Sequence, residues 1–365
     1  MKITQRNQWK IWMLCIFIVC ALPGMAGVGI QPVEAFSLPE KPSGNTSSLG
    51  QTWVPIPATV RLDGRYGHSA VWTGSEMIIW GGSTYNGNSY FSDGARYNPA
   101  QNTWISLPPS GLSARAFHTA VWTGSEMIVW GGEGKNGIFN DGARYNPVSN
   151  VWTPLPAVDL STRYFHTAVW TGTEMIIWGG YHSNGLADGA RYNPVSNTWT
   201  KLPDSGLVGR YSHTAVWTGT EMIVWGGRYD FYTYFNNGAR YNPGTNNWTM
   251  LPASGLDPRS EHNAVWTGTD MIVFGGGFDG AKYNLQANQW TPLPAPPITG
   301  NRERATAVWT GMEMVIWGGD GSSLYGNGER YNPTLNSWSI LASVPINFRA
   351  RYYHTAVWTG SKMIV

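Results

Sequence analysis

The chain has 365 residues and a formal net charge of +2, from 24 basic and 22 acidic side chains. It therefore lacks the basic footprint that phosphate-backbone binding requires, and nucleic acid is set aside as a partner. Its 21 Trp, 18 Tyr and 45 Gly, against 13% charged residues, suit short aromatic strands separated by glycine turns and exclude an ordinary helical protein.

In chain order, Lys2, Arg6 and Lys10 precede an apolar run from Ile11 to Leu22, followed by Pro23 and small residues ending in Val33-Glu34-Ala35. This is the order of a secretory signal peptide, with cleavage expected after Ala35. The apolar core is about a dozen residues, short of the ~20 that a membrane span needs, so an uncleaved anchor is the alternative. Residues 1–35 are read as leader and 36–49 as linker, and the expected location is secreted or cell envelope. Membrane contact is expected only through an uncleaved leader. Both cysteines, Cys15 and Cys20, fall within the leader. The remaining chain then has no disulfide or thiolate metal site, and core burial over about 330 residues must stabilise it.

From residue 50 to 365 a unit of nearly fifty residues recurs. It reads Arg-x-x-His-(Ser/Thr)-Ala-Val-Trp-Thr-Gly-x-Glu-Met-Ile-(Ile/Val)-Trp-Gly-Gly, a variable loop, then Gly-Ala-Arg-Tyr-Asn-Pro-x-x-Asn-x-Trp-x-x-Leu-Pro. In the first copy, His68 to Trp72 alternates and turns at Thr73-Gly74-Ser75, where glycine permits positive φ. Glu76 to Trp80 is a second strand, apolar on consecutive positions as a strand covered on both faces should be. Gly81-Gly82 ends it. Gly94 to Tyr97 forms a third strand, turned at Asn98-Pro99, and Trp104 to Leu107 a fourth, stopped by Pro108. Four antiparallel strands per unit, repeated radially, make a propeller blade.

With these residues in place the chain resembles the kelch family. The resemblance rests on six double glycines in register, from Gly81-Gly82 to Gly318-Gly319, on the third-strand tyrosines Tyr97, Tyr145, Tyr192, Tyr241, Tyr283 and Tyr331, and on the fourth-strand tryptophans Trp104, Trp152, Trp199, Trp248, Trp290 and Trp338. It implies an all-β propeller. Six units are complete, and a seventh begins at Arg351 but stops at Met363-Ile364-Val365. Gln51 to Pro57 reads as an isolated fourth strand, so the expectation is seven blades, the last closed by the N-terminal strand. That blade is expected to lack its third strand, with the chain truncated by about one strand.

A residue present in every blade is a poor candidate for chemistry at one site. The histidines His68, His118, His166, His213, His262 and His354 are accordingly read as hydrogen-bonding partners between blades, and the arginine of Gly-Ala-Arg-Tyr as a partner for a turn carbonyl or an acid. Function is expected where the repeats differ, on the face carrying the loops between strands two and three and between strands four and one. There Ser83 to Ser92 carries Tyr85, Tyr90 and Phe91, Tyr181-His182 follows the third double glycine, and Arg228 to Phe235 holds five aromatic rings, among them Tyr229, Phe231 and Tyr232. Such rings suit sugar stacking or anchoring of a protein partner, or they pack on neighbouring loops.

A second candidate is the arginine seven residues before each first-strand Trp, namely Arg65, Arg115, Arg163, Arg210, Arg259, Arg302 and Arg351. Placed around a channel mouth these would bind carboxylates; otherwise they serve their own blades' carbonyls. In the sixth unit Asn301-Arg302-Glu303-Arg304-Ala305 replaces the usual histidine with alanine. Glu303 with Arg302 is the first acid–base candidate and Glu261, beside His262, the second. The expected function is an interaction module for a protein or glycan, without cofactor or metal. The alternative, which the family resemblance also implies, is a carbohydrate-active enzyme of mutarotase or epimerase type. A copper oxidase of the galactose oxidase kind, which shares the propeller, is excluded because its tyrosine–cysteine crosslink has no cysteine here.

Overall fold

The computed structural model describes residues 34–37, 52–58, 62–345 and 349–365. The expected leader up to residue 33 and the expected linker from residue 38 lie outside the described residues. Those that are described form strands and turns, and none of their helices is long and apolar enough to cross a membrane, because there is no helix among them.

Each complete repeat folds into a four-stranded antiparallel sheet. The first runs Ser69–Trp72, Met77–Trp80, Gly94–Asn98 and Thr103–Ser106. The sixth runs Thr306–Trp309, Met314–Trp317, Gly328–Asn332 and Ser337–Ile340. There are six such blades rather than the expected seven. After the sixth blade come the two short strands Val357–Trp358 and Lys362–Ile364. These two short strands join Glu34–Ser37 and Thr52–Pro55 in a composite sheet between blade six and blade one. Thr52–Pro55 takes the outermost place, as its sequence suggests. The third place, expected to stand empty, is filled by Glu34–Ser37, where Ala35 pairs opposite Ile364 and Val54. The expected cleavage position thus falls inside a paired strand, and Phe36 and Ser37 belong to that strand rather than to a linker.

Burial follows strand position. The second strand of each of the six blades is buried along its apolar run, while the fourth strand exposes three or more of its four residues in most blades. Each core cluster spans two neighbouring sheets; Val71, Ile78 and Trp80 of blade one pack with Met127, Val129 and Tyr145 of blade two. No blade buries its apolar faces alone, which is why the ring folds as one unit. The first strands contact one another in succession around the axis, and Val357–Trp358 touches both blade six and blade one.

Fixed side chains stitch the blades. The fourth-strand tryptophans donate from Nε1 to the Leu-Pro carbonyl of the preceding blade, as Trp152 does to Pro108 at 3.2 Å; Trp53 of the composite sheet donates to Ala342 at 3.1 Å. Each third-strand tyrosine hydroxyl donates to the turn asparagine, Tyr97 to Asn102 at 2.7 Å, and that asparagine sits at φ 54. This explains Tyr-Asn-Pro-x-x-Asn. Three arginines of Gly-Ala-Arg-Tyr, Arg96, Arg144 and Arg191, do both things expected of them, Arg144 donating to Pro194 of the next blade at 2.9 Å and lying 3.6 Å from Glu126. Arg240 pairs with Glu221.

The repeated histidines are inter-blade partners as expected. His166 bonds the Thr119 hydroxyl at 2.8 Å and His213 that of Thr167 at 2.8 Å. They also account for the first glycine of each pair: a Cβ on Gly131 would lie 2.6 Å from His166 Cε1, and its φ is +70. Burial holds His68, His118 and His262 down to about 3, so the imidazoles are neutral.

Candidate functional site

The repeated arginines lie inside the blades, not around the channel mouth. Arg115 is fully buried and donates to Ser113 O, Gly131 O and Asp141 Oδ1, the last at 2.7 Å. Arg163, Arg210 and Arg259 repeat the pattern with Gly179, Gly226 and Gly275. Arg65 reaches Gly81 O and Asp93, and Arg351 lies 5.8 Å from the Trp317 ring. Four of them stack on a loop aromatic of their own blade: Arg65 on Phe91, Arg115 on Phe139, Arg210 on Phe235 and Arg302 on Tyr325, at 4.2 to 4.5 Å. Guanidiniums engaged in this way close the double-glycine turns. They also explain part of the aromatic content of the loops.

Arg302 and Glu303 are not brought together as an acid–base pair. Arg302 turns into blade six, donating to Gly318 O at 2.6 Å and to Asn327 Oδ1 at 2.9 Å. Glu303 turns outward, where Oε1 accepts from Asn301 at 2.8 Å and Oε2 stands 3.6 Å from Arg304.

At the axis the structure reveals an element the repeat pattern hides. The residue just before each histidine position, in order Gly67, Phe117, Phe165, Ser212, Glu261, Arg304 and Tyr353, has φ between 50 and 60. Each backbone N–H donates to the carbonyl of the one before it, and Gly67 donates to Tyr353, so the seven close into a belt with N···O distances of 2.8 to 3.3 Å. Six of the seven are not glycine, and a left-handed conformation costs such residues on the order of 1 kcal/mol each. The belt of hydrogen bonds and the flanking strands hold them there.

The belt's side chains divide the mouth in two. On one side Phe117 and Phe165 lie 4.5 Å apart and Tyr353 sits 5.2 Å from Phe117. On the other, Glu261, only 4% exposed, accepts from Arg304 Nε at 2.6 Å, the Tyr353 hydroxyl at 2.8 Å and Arg228 at 3.2 Å. Arg304 also binds Asp320 at 2.6 Å. Burial and the Glu261 charge push the Tyr353 hydroxyl well above its ordinary range. With its carboxylate oxygens engaged on all three partners, Glu261 braces the mouth rather than facing open space. A cavity of about 240 Å³ lies against the belt, lined by Gly67, Phe117, Phe165, Arg304, Ala305 and Tyr353 with four of the repeated histidines. The signal for the belt was present in the sequence, as the variable column inside an otherwise fixed Arg-x-x-His motif.

The loops between strands two and three and between strands four and one form the upper face, opposite the lower turns between strands one and two and between strands three and four, and they hold the remaining candidates. Tyr181 packs edge-on to Tyr211 at 4.8 Å and to Tyr164 at 5.4 Å, and His182 is exposed with Nδ1 on the Thr162 hydroxyl at 2.8 Å. Tyr229 is half-buried, its carbonyl accepting from Gly185 of the neighbouring loop. Phe231 and Tyr232 project, 53% and 91% exposed. Their loop is stiffened by Asp230, whose Oδ1 accepts from the backbone N–H groups of Tyr232 and Thr233 at 2.8 and 2.7 Å. Sequence reasoning missed Glu133, which follows the second double glycine. Burial raises its carboxyl to about 7 and the Tyr90 hydroxyl bonds it. Among the described residues no group of three or more His, Cys, Asp or Glu is placed to hold a metal.

A family profile described as the KLHDC2/KLHL20/DRC7 Kelch-repeats domain matches residues 46–209 and 165–365. The chain belongs to the kelch-repeat family. No curated protein matches it. Kelch propellers generally bind protein partners.

Proposed function

We propose that this kelch propeller is a protein-interaction module that engages its partner with the upper loops, Phe231 and Tyr232 of blade four serving as anchors. The observation that carries the reading is the pairing of exposure with rigidity. Two large rings stand in solvent on a loop that Asp230 holds fixed, so little conformational entropy is lost when they are buried by a partner. The lower turns expose aliphatic tips instead, such as Val195 at 95%. A photo-crosslinking residue placed at Tyr232 is expected to form protein adducts in the producing cell, and one placed at Val195 is not. Adducts at Val195 alone would reverse the assignment of the face.

The location is proposed to be outside the cytoplasm, on the order of charged, apolar and small segments in residues 1–35. N-terminal sequencing of exported protein distinguishes a chain starting at Phe36 from one that keeps Glu34 and Ala35.

A further inference from the structure

Six of the seven junctions between first strands are built alike, with an imidazole Nε2 2.8 to 2.9 Å from a hydroxyl on the preceding blade. In five of them a second-strand Trp meets that imidazole edge-on at 5.0 to 5.2 Å. The junction of blades five and six departs at three positions: Asn263 replaces the hydroxyl residue, Phe274 the Trp and Ala305 the histidine. Five double glycines have an imidazole Cε1 2.5 to 2.7 Å from where a Cβ on the first glycine would stand. At Gly275 there is no imidazole, and the side-chain atom nearest that point is Asn263 Nδ2, 3.9 Å away. Asn263 is 9% exposed, and its Nδ2 has no hydrogen-bond partner. Ala305 packs beside Phe274 on one side and lines the axial cavity on the other.

We propose that this slot binds a small neutral heteroaromatic ring of the imidazole type, entering from the axial cavity and accepting a hydrogen bond from Asn263 Nδ2. An unpaired buried amide gains most from a ligand that supplies an acceptor. The shape fits, because a five-membered ring occupies the equivalent place at the six other junctions. The charge fits a neutral ligand: Arg304, the one cation lining the cavity, is already held by Glu261 and Asp320. The site is separate from the upper-loop anchors, so either reading stands without the other.

The probe is imidazole itself, at pH 8, where it is largely uncharged. At tens of millimolar it is expected to raise the Tm of the full chain by about 2 °C and to shift the side-chain amide resonances of Asn263. Ala305→His fills the slot from within and is expected to abolish both responses; Ala305→Leu, which blocks it with an apolar group, does the same should the histidine variant fold poorly. Unmoved Asn263 resonances in the natural chain, or an equal response in both Ala305 variants, overturns the site.

Discussion

The lower turns and the upper loops hang on the same strands but are built to different ends. Below, the first three blades repeat one solution, in which an arginine bridges a glutamate and the next blade's proline carbonyl, and Asn side chains close the turns. Above, the repeated atoms are withdrawn into the blades, where the arginines close the double-glycine turns, and the variable residues are left at the surface and around the mouth. Repetition therefore marks what holds the ring together. Departure from it marks what the ring presents.

If that division is right, perturbing the repeated parts should be costly and perturbing the upper rim cheap. The largest effect expected is acid unfolding. The six junction histidines titrate near 6.5 when unfolded and are held well below it by burial when folded, His68, His118 and His262 at about 3, so their contribution is complete above pH 6.5 and is lost as the pH falls below it. For His68, His118 and His262 that is roughly 2 kcal/mol each by pH 5, and together these three reach the range of a whole domain's stability. Circular dichroism should show cooperative unfolding above pH 4; a propeller intact at pH 3.5 breaks the argument. Next, Trp178→Ala, at a fully buried inter-blade position, should cost about 3–5 kcal/mol in denaturant titrations.

Glu329 tests a departure inside the core. It replaces the alanine of Gly-Ala-Arg-Tyr, is fully buried 3.9 Å from Arg302, and burial raises it to about 7. A raised acid contributes stability that is lost as pH rises through 7. Glu329→Ala should therefore gain on the order of 1–2 kcal/mol more at pH 8.5 than at pH 5.5; a gain independent of pH would show that the carboxyl is already ionised at pH 5.5 and that burial does not raise it. The smallest stability effect is expected from Phe231→Ala with Tyr232→Ala, within about 0.5 kcal/mol. The same double variant should lose partner crosslinks formed from a probe at the neighbouring Thr233, and unchanged crosslinking would remove these rings as anchors.

Much of the fold could be read in advance because its signals are local. Paired glycines, Asn-Pro turns and apolar second strands each follow from residues within one unit, and the role of the histidines followed from their recurrence. The site was less legible. Arg302 and Glu303 are adjacent in sequence but turn in opposite directions, Arg302 onto Gly318 and Asn327 and Glu303 onto Asn301 and Arg304. Glu261 meets Arg228, Arg304 and Tyr353 only after three separate junctions have formed.

The amino-acid sequence by itself determined a kelch ring of four-stranded units, the strands that would be buried and the residues that would stitch one blade to the next. Only the tertiary structure decided how the two ends share a sheet, where the arginines turn, and that seven residues with positive φ form a closed belt at the axis. The reason is that a local pattern specifies a turn or a strand within a few residues, whereas closure around an axis depends on groups hundreds of residues apart arriving at the same height, as Gly67 and Tyr353 do.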